Sequence, residues 1–288
     1  MPRHAATARA ARSAVTRDAR DTRRMRTAGS KRWKTATRLA WRERAKSAVM
    51  SAGKSFRKRR GGDYILDFGF YKMDCMDGMK HFPDKYFELA IVDPPYGINV
   101  ANMNMGAGKG KRCSNIAYRG WTNKDWDIGM PDDAYFQELF RVSKHQIIWG
   151  GNYFNLPPCK CFIVWDKAES MYGRSFSECE MAWTNLNATT RIFKYSPFDK
   201  SRIHPTQKPI ALYTWILQNY ANQGDRILDT HVGSASSLIA CHRMGFRYVG
   251  FELDADYYRQ ASERLERERA QISFFTQETA NISQETFF

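Results

Sequence analysis

Asp93-Pro94-Pro95-Tyr96 closes a short apolar run, Leu89-Ala90-Ile91-Val92. An acid, two prolines and a ring at one point can grip a planar polar group. The Asp93 carboxylate and main-chain carbonyls can hold its polar edge while Tyr96 stacks on its face. Proline has no N–H and a fixed φ, so the run must stop there, as a buried strand does when it delivers side chains to its carboxyl edge. A Pro-rich turn with an incidental aspartate fits the same four residues, so the rest of the chain has to supply the partner groups.

Two further clusters could do so. His204-Pro205-Thr206-Gln207-Lys208-Pro209 precedes Ile210–Leu217, whose apolar positions have helical period. Thr206 and Gln207 then sit at a helix N-terminus, where a carboxylate is favoured; Lys208 either joins them or is a solvated helix-start lysine. Arg226-Ile227-Leu228-Asp229 reads as a strand, Thr230-His231-Val232-Gly233-Ser234-Ala235-Ser236 as a turn of small residues that brings the backbone close to a nucleoside. Glu252 ends the next strand, where an acid can hold two ribose hydroxyls. Asp74 follows the strand or hairpin Tyr64–Tyr71 and lies at the same edge as Asp93, unless it merely caps the next helix. His231 either stacks on the ligand or packs inside. Ala235 is comfortable at negative φ and obstructs the turn if its backbone is left-handed.

These residues need a frame. Strands at 64–71, 89–92, 146–149, 161–166, 226–229 and 245–252 alternate with helices at 131–142, 209–220, 236–244 and 255–270, the pattern of an α/β domain. Between them lie a long polar loop, 97–130, and a polar segment, 170–202. Lys109, Lys111, Arg112 and Arg119 with interleaved tryptophans suit the loop to closing over a nucleotide and touching phosphates; a disordered insertion has the same composition. Arg174, Lys194, Lys200 and Arg202 give the second segment a basic surface.

The chain has 288 residues and a formal charge of +15. Residues 1–62 hold 20 Lys and Arg against 3 Asp and Glu, a net of +17, and residues 63–288 hold 25 against 27, a net of −2. The basicity belongs to an Ala-, Arg-, Ser- and Thr-rich arm that cannot bury much and is expected to be mobile. DNA-backbone contact, a passive extension and a transit peptide all fit it. Six scattered cysteines read as reduced thiols of a cytoplasmic protein, and the apolar runs are too short to span a bilayer. No metal-ligand spacing is evident.

Asp93–Tyr96 resembles motif IV of amino-group DNA methyltransferases, and His204–Pro209 resembles motif X, which contacts the methionine part of S-adenosylmethionine. Asp229–Ser236 is similar to motif I, usual form DPFxGSGT, with Thr230 for the proline, His231 for the aromatic residue, Ala235 for the second glycine and Ser236 for the threonine. Their order identifies the chain as a member of the beta-order group. The resemblance implies a Rossmann-like S-adenosylmethionine-dependent methyltransferase fold: a mixed seven-stranded sheet with helices on both faces over 63–270, and a tail at 271–288. It implies catalytic Asp93, Pro94, Pro95 and Tyr96, and a cofactor site of Asp74, Thr206, Gln207, Lys208, Asp229, His231, Gly233, Ser234, Ala235, Ser236 and Glu252. The strand ends within 146–154 and 161–167 wall the base pocket, and target recognition falls at 170–202 or in the 97–130 loop. Methylation of adenine N6 in double-stranded DNA is the expected activity, in a bacterial or phage restriction-modification or orphan setting. Cytosine N4, RNA, or DNA binding with a degenerate donor site are the alternatives, and a homodimer is left open.

Overall fold

The computed structural model describes residues 56–58, 64–98, 127, 129–174 and 176–285. Two short strands, β1 (Phe56–Lys58) and β2 (Tyr64–Leu66), precede the main sheet. That sheet is built from β3 (Gly69–Lys72), β4 (Phe87–Val92), β5 (Ser143–Trp149), β6 (Cys161–Asp166), β7 (Cys179–Thr184), β8 (Arg191–Lys194), β9 (Arg226–Asp229) and β10 (Arg247–Glu252). Their order across it is β3-β10-β9-β4-β5-β7-β6-β8.

The first five strands in that order run parallel. β7 is antiparallel to both β5 and β6, and β8 pairs parallel to β6 at the edge. The α/β fold is as expected, but the sheet has eight strands rather than seven. The eighth, β8, comes from the middle of the segment expected to be a recognition loop. It is only four residues long, alternates Arg, Ile, Phe, Lys and leaves Ile192 67% exposed, so no buried apolar run announces it.

Helices α1 (Cys75–Met79), α2 (Asp133–Val142), α3 (Ile210–Tyr220), α4 (Ser236–Arg243) and α5 (Ala255–Glu285) cover the sheet. Side chains alternate faces along a strand. Leu89 and Ile91 of β4 therefore share one core cluster with Leu212 and Ile216 of α3, Leu238 and Ile239 of α4, and Ala261 and Leu265 of α5. Met79 of α1 and Phe136 and Leu139 of α2 are buried outside that cluster. α5 runs past residue 270, the end expected for it, because no Gly or Pro interrupts 255–285.

A parallel sheet collects its strand ends. Val92 lies opposite Ile148, Gly250 opposite Asp229 and Glu252 opposite Lys72, which carries Asp93, Asp229, Glu252 and Asp74 to one carboxyl edge. Among the described residues no helix is long and apolar enough to cross a membrane.

Candidate active site

Asp93 emerges from β4 where the prolines end the ladder. Its Oδ1 accepts a hydrogen bond from the Tyr96 hydroxyl at 2.6 Å and its Oδ2 from Lys208 Nζ at 2.5 Å. Lys208 is 2% exposed and also meets Glu180 Oε2 at 3.0 Å; Lys167 holds the other oxygen of Glu180 at 2.9 Å. Two acids and two ammonium groups thus form one neutral chain. Burial raises the pKa of Asp93, Lys208 pulls it down and Glu180 pushes it up again. Burial opposes the charge on Lys208, yet Asp93 and Glu180 outweigh it and keep the ammonium protonated. Glu180 is held at about 2, because Lys208 and Lys167 overcome its burial. The Lys208 ammonium also lies 5.2 Å from the centre of the Trp149 ring.

Tyr96 is fixed from three sides. Its N–H and that of Gly97 donate to Asp127 Oδ1 at 2.9 and 3.1 Å. Its ring stacks on Tyr153, centroids 5.0 Å apart at 14°. Behind it stands Gly150, left-handed at φ 67°, where a Cβ would come within 2.2 Å of the Tyr96 ring. This is the close approach that two consecutive glycines after β5 suggest.

Beside Asp93 opens a cavity of about 360 Å³. Of the expected cofactor residues, Asp74, Thr206, Gln207, Lys208, His231, Gly233, Ser234, Ser236 and Glu252 line it, together with Asp93 and Pro95. Asp74 both faces the cavity and caps α1, accepting from Met76 N–H at 2.7 Å. Glu252 accepts from the N–H of Gly233 and of Asp254, both at 2.9 Å, which orients its carboxylate and leaves each oxygen a free lone pair. Asp229 and Ala235 lie behind the wall. Asp229 accepts from His231 N–H at 3.0 Å and from the Ser237 hydroxyl, and burial raises its pKa to about 7. Ala235 is fully buried and left-handed, φ 63° and ψ 18°, the case in which alanine costs energy.

Some expected contacts are otherwise engaged. The Gln207 amide spans Ile203 N–H and Asp199 Oδ2. Arg202, expected at nucleic acid, is half-buried and donates to the carbonyls of Pro197 and Pro205, so it braces its own loop. Lys194 pairs with Glu169, and Arg174 lies over the Phe198 ring. Lys200 is exposed. Lys109, Lys111, Arg112 and Arg119 lie outside the described residues.

Glu180, Asp127 and Tyr135 join the site without having been expected there from sequence, whereas Tyr153 and Lys167 belong to the strand ends expected to wall the base pocket. Glu180 carries a usable signal, being an acid two residues before the buried Ala182-Trp183 of β7. Asp127 carries none, since its partners are main-chain groups 30 and 31 residues away.

Against known families, the DNA methylase model for N6 and N4 methyltransferases matches residues 164–263, which span β7, the His204–Pro209 segment, the Asp229 turn and Glu252. That stretch is well under half of the chain, and over it the chain is similar to the N6 and N4 DNA methylases. Type II methyltransferase M2.MboI of Moraxella bovis is 24% identical over 240 residues, 69% of this chain and 87% of that one. Type II methyltransferase M.HpaI of Haemophilus parainfluenzae is 38% identical over 65 residues, 23% of this chain and 21% of its own length. The solved M1.HpyAVI–SAM complex, 18% identical with a TM-score of 0.43, covers 68% of this chain and 98% of that one. Among the described residues no group of three or more His, Cys, Asp or Glu side chains could hold a metal ion.

Proposed function

We propose that the chain methylates N6 of an adenine rotated out of double-stranded DNA, with S-adenosylmethionine as donor. The observation that carries this reading is that Asp93 belongs to two sites at once: it lines the donor cavity and is held beside Tyr96 by Lys208. The residues fit the donor. Asp74, Asp93, Glu252 and Asp254 make the wall acidic, and the cation among them, Lys208, is matched by Asp93 and Glu180, so a positively charged ligand is favoured. Glu252 suits a ribose diol, and the volume lies within the roughly 300–1,000 Å³ usual for small-molecule sites.

When bound, S-adenosylmethionine supplies a methyl group on an electron-poor sulfonium. The protein's part is orientation and charge. Asp93 and the Pro94 carbonyl accept the two N–H bonds of the exocyclic amine, drawing electron density onto nitrogen and aiming its lone pair at the cavity. Lys208 and Tyr96 keep the carboxylate from turning. Its upward-shifted pKa makes Asp93 a competent acceptor for the proton that the methylated nitrogen releases. A base inside a duplex has to leave the stack first. Tyr96 offers it a face once Tyr153, 45% exposed, gives way, because two rings 5.0 Å apart leave no room for a third between them.

DPPY rather than a serine-headed motif favours adenine over cytosine within the family. Incubation with methyl-labelled donor and duplex DNA, followed by digestion to nucleosides, should give label in N6-methyladenine. Label confined to N4-methylcytosine would refute the adenine assignment. Asp93→Ala should abolish transfer and leave donor binding within about threefold, since the carboxylate acts mainly on the amine.

A further inference from the structure

The turn that departs most from the family pattern carries a hydrogen-bond chain of its own. The Tyr135 hydroxyl lies 2.7 Å from Thr230 Oγ1, and Thr230 Oγ1 lies 2.9 Å from His231 Nδ1. Tyr135 and Thr230 are 3% and 2% exposed. The Tyr135 and His231 rings meet edge to face, centroids 5.4 Å apart. Neither hydroxyl has another partner among the described residues.

The protons of this chain can be counted. Tyr135 has one O–H and one partner, so it donates to Thr230. The Thr230 proton then has a single acceptor left, His231 Nδ1, which must be bare. The ring is therefore neutral and carries its proton on Nε2. With the proton on Nδ1 instead, one buried hydroxyl would lose its acceptor, a costly state. Enclosure of the ring, which holds the His231 pKa down to about 4, agrees with the neutral form.

The Nε2–H has no partner among the described residues, and the side chain lines the donor cavity. The surrounding wall is rich in acceptors, Asp74, Asp93, Glu252 and Asp254, and its Lys208 ammonium is committed to Asp93 and Glu180, which leaves the His231 N–H and hydroxyls such as those of Thr206 and Tyr213 as its side-chain donors. A ligand that brings its own carboxylate into such a cavity needs an N–H to meet it.

We propose that Tyr135 and Thr230 act as positioning residues that lock His231 as the Nε2–H tautomer, and that this N–H binds the α-carboxylate of the methyl donor. The inference rests on the function proposed above for its ligand, but not for its tautomer. A phenyl or a proline at these positions could do neither job.

Two measurements test it. In ligand-free protein labelled with ¹⁵N-histidine, the imidazole nitrogen shifts should report a protonated Nε2 and an unprotonated Nδ1 at His231, assigned by its loss in His231→Phe. A protonated Nδ1 would overturn the relay. Calorimetry with S-adenosylhomocysteine and with methylthioadenosine, which lacks the amino-acid end, tests the ligand. His231→Phe and Thr230→Val should each weaken S-adenosylhomocysteine about tenfold and leave methylthioadenosine within about twofold, whereas Thr230→Ser should bind both as wild type does. Equal losses for both ligands, or no loss for either, would overturn the carboxylate contact. Wild-type protein that binds neither compound would overturn the functional reading itself, and the tautomer measurement would still stand. Circular dichroism of each variant identifies any that fails to fold, and Thr230→Ser then carries the comparison with wild type.

Discussion

Single residues in this site are held against their own preferences. Ala235 adopts φ 63° in the core, a conformation that costs an L-residue with a Cβ about 1–2 kcal/mol. Ala235→Gly should raise the unfolding free energy by about 1 kcal/mol, less whatever the freer glycine gains in the unfolded chain, readable as a shift of the urea midpoint with unchanged slope. Asp229 is a second case. Its folded pKa of about 7 lies above the unfolded value of about 3.9, so the native state binds the extra proton. Stability from this group is full below about pH 4 and is lost as pH rises through 7, by at most about 4 kcal/mol. Between pH 5 and 7.5 wild type should lose more stability than Asp229→Asn in matched urea titrations; parallel curves would refute the shift. Residue types and spacing are enough to single out Asp93, Tyr96 and Glu252 as candidates at strand ends. They cannot reveal that Lys208 turns to Asp93, because its partners lie 115 residues away just past β4 and in a different strand, β7.

The elements explain why some of the site is legible in the sequence and some is not. Buried parallel strands are continuous apolar runs that end in polar residues, so β4, β9 and β10 announce themselves with the acids they deliver. β8 is an exposed edge strand and gives no such sign. The turn after β5 sits between these cases: Gly150 and Gly151 mark a close approach, but only the structure names the group approaching, the Tyr96 ring. Gly150→Ala should push that ring off Asp93 and Tyr153. Its expected phenotype is a fall in transfer rate of about a hundredfold or more, on the order of the cost of a misplaced catalytic group, with S-adenosylhomocysteine affinity kept within about threefold. A variant with wild-type transfer would show that Tyr96 tolerates the displacement.

For the whole molecule, the charge division between residues 1–62 and the remainder is the feature with the clearest measurable reach. We propose that the arm binds phosphates. Its removal should weaken duplex binding by a similar factor on cognate and random sequence and flatten the dependence of log affinity on log salt, by about 0.9 for each phosphate that the arm neutralises. Turnover at saturating DNA should hardly change, since the residues described as lining the cavity run from Met73 to Tyr257. Unchanged affinity and slope in the truncated protein would leave the arm without this role, and a loss confined to cognate sequence would mean that it reads bases.

The strand order has a consequence for how the protein comes into being. β4 sits between β5 and β9, and Glu88 at its start is tied to Arg226 at the start of β9 across 138 residues of sequence. While the polypeptide is still being synthesised, Asp93 and Tyr96 are made well before β9 and β10, and the flank of β4 that completes the cavity is missing until those strands emerge. Pairings this distant in sequence form late, because a long loop must close before any interaction compensates for it. A nascent chain stopped before residue 226 therefore exposes one bare edge of its central strand and lacks the part of the cavity wall that runs from Thr230 to Tyr257.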